Sequence, residues 1–398
     1  MAIKVLWYLT APDGTVPWEP DGRWQTNYDH LRLLAQTIDH LGYYGALLAT
    51  GNDEVNVLAS SMLNVTRRMK FVAAIYPGLI QPAKLAQIAQ TINRFSGGRL
   101  IYNAVNGRDS TLPAQGMHLK HDERYDYSLE YWQAFRHVYA GNTDGFSGKY
   151  IQLAPRPKEP SGSTRGGSTQ QSAPPFELWG AGTSPAGVAH SVQLLDLYLS
   201  FADTPQRLGE KFKRVGAEAA KLGRKLEFGT RLQIIVRETE EEAWDYAEYL
   251  VGRTSVEYAR QSIERQLPPG ETLETYRSPD PRIQRNLDQI RAGKLPRARD
   301  YEFYPNLWTG PALHGFNVLG PSSGTTIVGS AENVAARLRE FEEHGTHAFI
   351  LSGWPLIEEA QRVADLLFPL LDLDHGFDVP VLTPGRRKAS VTELRSTG

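Results

Sequence analysis

Three short stretches of the chain carry side chains whose types and spacing could do chemistry. In WGAGTS, Gly180 and Gly182 stand as G-x-G between an apolar run and a helical pattern, followed by Thr183 and Ser184. Glycines at such a break expose backbone N–H groups, and with hydroxyls and a helix N-terminus they can cradle a phosphate. In YNAVNGRD, Asn103 and Asn106 end a strand-like run beside Arg108. Amides at a strand end can hydrogen-bond a heterocycle edge or a phosphate-bearing chain, although N-G and R-D are also ordinary turn formers. In HLKHDERYDY, Tyr125 opens a helical pattern next to His121 and Arg124. A helix cap is the plain reading there.

Much other chemistry is excluded. The 398 residues contain no cysteine, which removes disulfides, thiolate nucleophiles and cysteine-held metals, and fits a reducing compartment. HxxH occurs at His118/His121 and His344/His347, but neither pair has the attendant carboxylate of a zincin motif, so no metal is expected. No G-x-S-x-G elbow and no phosphate-loop lysine are present. A net charge of −2 gives no general attraction to nucleic acid or to an anionic membrane. No apolar run reaches about 18 residues, so no membrane span is expected. The first residues, MAIKVLWYLTAPDG, read as a buried strand and not as a signal peptide. A cytoplasmic protein acting on a small molecule is the expectation.

The elements that must position these side chains alternate regularly. Apolar runs near 3–9, 45–50, 70–76, 100–105, 176–180, 195–201, 228–237 and 347–352 are each followed by a helical pattern. Eight such units predict an α/β fold, a TIM (β/α)8 barrel with insertions, in preference to a doubly wound sheet. One barrel is expected over residues 1–375. It is interrupted by a Gly/Ser/Pro loop at 156–175 and a charged helical insertion or lid at 253–305, and a loose tail follows at 376–398. The insertion carries nine arginines against eight acids, so a solvated helical surface is the expected reading.

Element order also decides the meaning of G-x-G. Asp203 lies about 20 residues further on, where a ribose-binding acid belongs in a dinucleotide fold. Against that, Pro185 occupies the third-glycine position and four strand–helix units precede the motif. As the fifth βα loop of a barrel, the stretch suits a single phosphate at the face where barrel sites form. The aromatic residues Trp7, Tyr8, Tyr76, Trp179 and Trp354 cluster at strand ends, where rings can wall an apolar pocket.

Longer stretches carry a resemblance. LWYLT, LGYYGALLATG, SSMLNVTRRMKFVAAIYPG, FSGGRLIYNAVNG, HDERYDYS, WGAGTS, GTRLQIIVRETEEEAW, PNLWTG, GTTIVGS and FILSGWPLIEEAQRVADLLFP run in order from residue 5 to about 370. They resemble the bacterial luciferase-like flavin monooxygenases, and most of all the alkanesulfonate monooxygenase branch. The resemblance implies a TIM barrel that takes reduced FMN (FMNH2) from a separate NAD(P)H-dependent flavin reductase and uses O2, through a peroxyflavin, to oxygenate a substrate. It implies a homodimer or homotetramer. It also implies flavin contacts at Ala74, Asn103, Asn106 and Tyr125, with Gly182, Thr183 and Ser184 near the phosphate. A non-proline cis peptide is expected at Ala74–Ile75. Catalytic roles fall to Arg231, Gln233 and Trp354, and substrate contacts to Trp7, Tyr8, Asn52, Trp308 and Leu356.

The chain departs from that branch where the substrate is handled. Of an R-x-H on the seventh strand, Arg231 matches and Gln233 replaces the histidine. A G-Y-P-H at the eighth strand reads Gly353-Trp354-Pro355-Leu356 here. The branch's cysteine is missing from TGNDEVN, and no arginine stands in PALHGFNVLGPSS. Cationic and hydrogen-bonding groups are lost and apolar bulk is gained, so a larger or less charged substrate than a simple alkanesulfonate is expected. Two alternatives stand beside this reading. One is a deazaflavin-dependent hydride transfer on the same barrel, and the other is a flavin-binding homologue without turnover.

Overall fold

The computed structural model describes residues 2–51, 53–107, 112–156, 172–313 and 315–377. Eight parallel strands close on themselves: β1 (Ile3–Tyr8), β2 (Gly45–Leu48), β3 (Lys70–Ile75), β4 (Leu100–Ala104), β5 (Leu178–Ala181), β6 (Leu197–Phe201), β7 (Glu227–Arg237) and β8 (Ala348–Ser352). β8 pairs back onto β1 with Leu351 opposite Trp7. Each strand leads into a helix on the outside, so the architecture is the expected (β/α)8 barrel.

Register decides which side chains face the barrel axis, because partners across a parallel pair lie on the same side of the sheet. Tyr102 of β4 packs its ring against Trp132 and Phe135 of the helix His121–Tyr139, so its neighbour Asn103 faces inward. Asn103 pairs with Ala74 and Trp179. Following the ladders around, Phe201, Arg231 and Ile350 share the inward side, as do Gln233 and Ser352 one step higher. At the opposite end Lys4 pairs with Glu227 at 2.6 Å and Lys70 with Glu177 at 3.5 Å. These ion pairs surround Tyr44, which stacks on Trp179, and they close the floor of the barrel.

Helix starts are set locally. Thr239 and Glu242 form the expected capping box ahead of Glu240–Gly252. Ser184 caps Pro185–Leu194 by accepting the Gly187 N–H, with proline in the first turn. The last helix, Leu356–Leu366, lacks a side-chain cap from its own Pro355. Asp13, from the loop after β1, accepts the Leu356 N–H at 2.9 Å instead.

The structure adds a strand that the sequence pattern did not reveal. β7 has eleven residues and outruns its barrel neighbours, so its upper half needs another partner. Thr326–Ser330 supplies one, running parallel to Gln233–Arg237, and Leu307–Trp308 adds antiparallel to it. The expected hairpin forms from Phe146–Ser147 and Gln152–Leu153. Residues 157–171, most of the Gly/Ser/Pro stretch, and the tail from 378 lie outside the described residues.

The insertion holds the helices Val256–Glu264 and Pro281–Arg291. Its arginines bond largely within it: Arg260 to Glu274, and Arg291 to Asp288 and the Leu273 carbonyl. Trp18 donates to Thr254, Glu19 accepts from Ser255, and Tyr258 donates to the Ala312 carbonyl. These bonds fasten it to the loop after β1 and to the 310–316 segment. The insertion is thus fastened to the barrel at these points.

Arg237, the last residue of β7, pairs at 2.9 Å with Glu359 of the final helix, and both are buried. Removing Arg237 leaves the buried Glu359 carboxylate dependent on the longer contact to the part-exposed Arg362 at 3.3 Å. Arg237→Leu is expected to lower unfolding free energy by about 3 kcal/mol in urea titration. An unchanged midpoint would show that the pair does not hold β7 against this helix.

Candidate functional site

At the C-terminal ends of the strands several inward side chains carry buried polar atoms without a hydrogen-bond partner. Phe201 is 52% exposed although it sits at a strand end, and Ala181 is exposed beside it. The barrel therefore opens into a mouth at this end, where the loops converge.

Arg231 dominates the mouth. Its guanidinium carbon lies 4.4 Å from the centre of the Tyr8 ring, a cation–π stack worth about 2 kcal/mol where water is excluded. Nε and Nη2 are buried without a hydrogen-bond partner. Burial pushes the Arg231 pKa down, and Tyr8 acts in the opposite direction. Burial likewise pushes the Tyr8 pKa up while Arg231 pulls it down. Two donors on this half-buried cation thus have no hydrogen-bond partner among the described residues. An anion or electron-rich oxygen is the complementary occupant.

Other unanswered polar atoms lie on the same rim. Asn103 Oδ1, both side-chain polar atoms of Asn106, Gln233 Nε2 and Ser352 Oγ are buried without partners. Ala74, opposite Asn103, supplies no bulk. Among the described residues the cis peptide bond is Trp354–Pro355, so the bond expected to be cis at Ala74–Ile75 is trans. Asn106 lies in a recess shared with Tyr76, Met117, Arg124 and Tyr127.

A second corner forms around the G-x-G. A Cβ on Gly182 would stand 2.8 Å from the backbone of Gly187, so only glycine lets the loop lie on the helix start. The Tyr125 hydroxyl lies 3.0 Å from the Cβ position of Gly187. Tyr198 fixes the loop by donating to the Gly182 carbonyl at 2.7 Å. Thr183 is exposed. Gly182, Thr183, Ser184 and Tyr125 are therefore neighbours at a helix N-terminus, an arrangement suited to one phosphate.

The remaining candidates distribute differently. Trp354 lies with Trp18, Trp308 and Gln233 around a narrow apolar recess. Its indole N–H is given to the Pro12 carbonyl and that of Trp308 to the Ala298 carbonyl. Trp354 thus forms a wall and has no proton to lend. Trp7 is on the outward side of β1, with its ring 5.6 Å from Tyr43 in the helix layer, away from the mouth. Leu356 is 1% exposed, and its backbone N–H is held by Asp13, which fixes the loop and leaves the side chain in the core. Asn52 lies outside the described residues. Sequence reading missed Phe201, Ser352 and Trp18. The only signal for the first two was their place at the ends of apolar runs.

Among the described residues no cluster of three or more His, Asp or Glu is placed to hold a metal ion, and no helix is long and apolar enough to cross a membrane.

A family model described as luciferase-like monooxygenase matches residues 9–348. Among solved structures, a riboflavin lyase determined with modified FMN and riboflavin superimposes with a TM-score of 0.68 at 18% identity, over 96% of this chain and 94% of that one. EDTA monooxygenase from Chelativorans sp. BNC1 gives 0.63 at 17% identity, over 93% of each chain. An F420-dependent secondary alcohol dehydrogenase with an F420–acetone adduct gives 0.59 at 16% identity, over 94% of this chain and 100% of that one. At these identities the likenesses speak for the fold.

The residues present fit a flavin. The amides of Asn103 and Asn106 offer unanswered acceptor and donor atoms, which match the alternating carbonyl and N–H edge of an isoalloxazine. The phosphate corner lies across the same end of the barrel.

The helix behind that corner carries a pH-sensitive group. His190 is buried, within 2.9 Å of Ser128 Oγ and against the Tyr125 ring. Burial pulls its pKa down to about 4 from 6.5. The folded state therefore holds this proton less readily than the unfolded chain. Its stabilising effect is complete above pH 6.5 and is lost as pH falls from 6.5 toward 4. The loss amounts to about 3 kcal/mol at most. Urea titrations at pH 7 and pH 4.5 should show this decline, and His190→Gln should reduce it. An identical decline in the variant would assign it to other groups.

Proposed function

The chain belongs to the luciferase-like monooxygenase family. On that premise we propose that it is a two-component monooxygenase that uses FMNH2 and O2 to oxygenate a small organic substrate. When bound, reduced FMN supplies the electrons that activate dioxygen. The protein's own residues bind, orient and shield. Asn103 and Asn106 hold the ring edge, Ala74 leaves room beneath it, and Gly182, Thr183, Ser184 and Tyr125 receive the phosphate. Arg231 directs two donors at the oxygen that gains negative charge, and its low-dielectric setting strengthens that attraction. Phe201 and the tryptophan wall exclude water from the same space.

One observation carries the reading: a half-buried guanidinium with two donors that have no partner among the described residues, on the same end of the barrel as unpaired amides. The ten stretches quoted above support the alkanesulfonate branch as nearest kin. The walls support an altered substrate, because Gln233 and Trp354 offer no charge to a sulfonate. A separate reductase is part of the proposal, supported by Pro185 standing where a dinucleotide fingerprint needs its third glycine. A homodimer or homotetramer and a cytoplasmic location belong to the same proposal.

The test supplies FMN, NAD(P)H, a flavin reductase, 18O2 and candidate organosulfur substrates, and follows products by mass spectrometry. Substrate-dependent gain of labelled oxygen is expected. Reduction of a carbonyl substrate with reduced deazaflavin, and no oxygen gain with FMN, would favour hydride transfer instead. Arg231→Ala should lower oxygenation by about 100-fold with flavin affinity unchanged. Undiminished turnover would remove Arg231 from the chemistry.

A further inference from the structure

Three neighbouring strands set a row of polar side chains on one side of the sheet. Gln233 of β7 is in register with Ser352 of β8 on one flank and with Thr326 on the other, so the three point the same way. Each is more than nine-tenths buried. Thr326 gives its hydroxyl proton to the Gly324 carbonyl at 3.2 Å. Gln233 Nε2 and Ser352 Oγ are buried without a hydrogen-bond partner among the described residues. Their backbones lie about 5 Å apart on paired strands, so an amide N–H and a hydroxyl can converge on one acceptor oxygen. Leaving both unmet is costly, and an oxygen bound between them removes that cost.

The surroundings say what kind of molecule carries that oxygen. Gln233 lines a narrow recess with Trp18, Trp308, Trp354, Ile235 and Leu250. The indole N–H groups are spent on Thr254, Ala298 and Pro12, so the rings offer only apolar surface. Tyr246, also in the lining, gives its hydroxyl proton to the Trp354 carbonyl. The Arg237 guanidinium over the Tyr246 ring is paired with Glu359. An anion in the recess would lose its water without gaining a counter-ion. A hydrocarbon would leave both donors unmet. Gln233 stands two residues beyond Arg231 on the inward face, about 7 Å along the strand, so an occupant of the recess extends toward the mouth.

We propose that Gln233 and Ser352 are the specificity-determining pair of this site, and that they select an uncharged ring compound by a carbonyl oxygen. The proposal rests on the oxygenase reading above and narrows its substrate from any small organic molecule to this class. Gln233 Nε2 and Ser352 Oγ donate to the same oxygen. The ring lies against the indoles, which reward a flat apolar surface. Selection works in both directions: a charged analogue finds no counter-ion in the recess, and an analogue without the oxygen leaves two buried donors unpaired.

Calorimetric titration of the wild-type protein in the presence of FMN tests this with three probes: acetophenone, α-methylstyrene, which carries CH2 in place of the oxygen, and benzenesulfonate. Acetophenone should bind about 10-fold more tightly than α-methylstyrene, and benzenesulfonate should bind more weakly than either. Equal affinity for the first two, a preference for benzenesulfonate, or no binding of acetophenone overturns the proposal. In the double variant Gln233→Met, Ser352→Ala the preference for acetophenone should vanish. The urea midpoint of that variant without probe should hold or rise, because two unmet polar groups have gone. A retained preference overturns the pair's role, and a lowered midpoint overturns it too by showing that the two groups serve the fold. Labelled oxygen gained by an organosulfur substrate, with no binding of acetophenone, overturns the proposal alone. Selective binding of acetophenone, with no oxygen gained by any substrate, overturns the oxygenase reading and leaves the selection standing.

Discussion

A half-buried guanidinium at the open end of a barrel, with no carboxylate to meet it among the described residues, is the constraint around which the rest of this structure is arranged. Taking a cation out of water is costly, and the cost is normally met by pairing. Among the described residues Arg231 receives the π-face of Tyr8. The arrangement persists because the barrel over-determines it. β7 is held by β6 and β8 below and by Thr326–Ser330 above, and Arg237 anchors its end to the last helix. A strand so fixed holds the Cα of Arg231 in place and its side chain on the inward face. Instability at one residue is thereby held in readiness for a ligand.

The rest of the mouth follows the same logic. Each indole around the recess spends its N–H on the protein: Trp18 on Thr254, Trp308 on Ala298, Trp354 on Pro12. What they present to the interior is apolar. Unanswered polar atoms of Asn103, Asn106, Gln233 and Ser352 lie at the rim. Low dielectric walls and a few aimed dipoles are the conditions under which a positioned charge acts strongly. The Asp13 carboxylate, fully buried and shared among Gly14, His30 and Leu356, ties the loop after β1 to the loop after β8. Tyr8 and Trp354 stand immediately beside these two loops.

The barrel was legible because its signals are local and repeated. Apolar runs such as IKVLWYL and FVAAI, each followed by a helical period, need no knowledge of distant contacts. The same holds for the cap at Thr239 and for Gly182, whose need for glycine the close approach to Gly187 explains. Side-chain direction was less legible. Trp7 and Tyr8 are adjacent and both aromatic, yet strand alternation sends one into the helix layer and the other into the mouth. Only the register with β2 and β8 decides which. Leu356 was misplaced for a related reason, because a residue that follows a strand end can start a helix and turn into the core. Thr326–Ser330 escaped notice because its pairing is required by the length of β7 and not by its own composition. Phe201 looked like one more core residue of an apolar run.

A crystal structure of the protein with FMN tests the central claim most directly. The account predicts the ring across the strand ends, with its polar edge on Asn103 and Asn106 and the open edges of Arg231 turned toward its reactive face. The phosphate should rest on Gly182, Thr183, Ser184 and the Tyr125 hydroxyl. A flavin seated elsewhere on the barrel, or Arg231 withdrawn from Tyr8 to pair with a protein carboxylate, would contradict it.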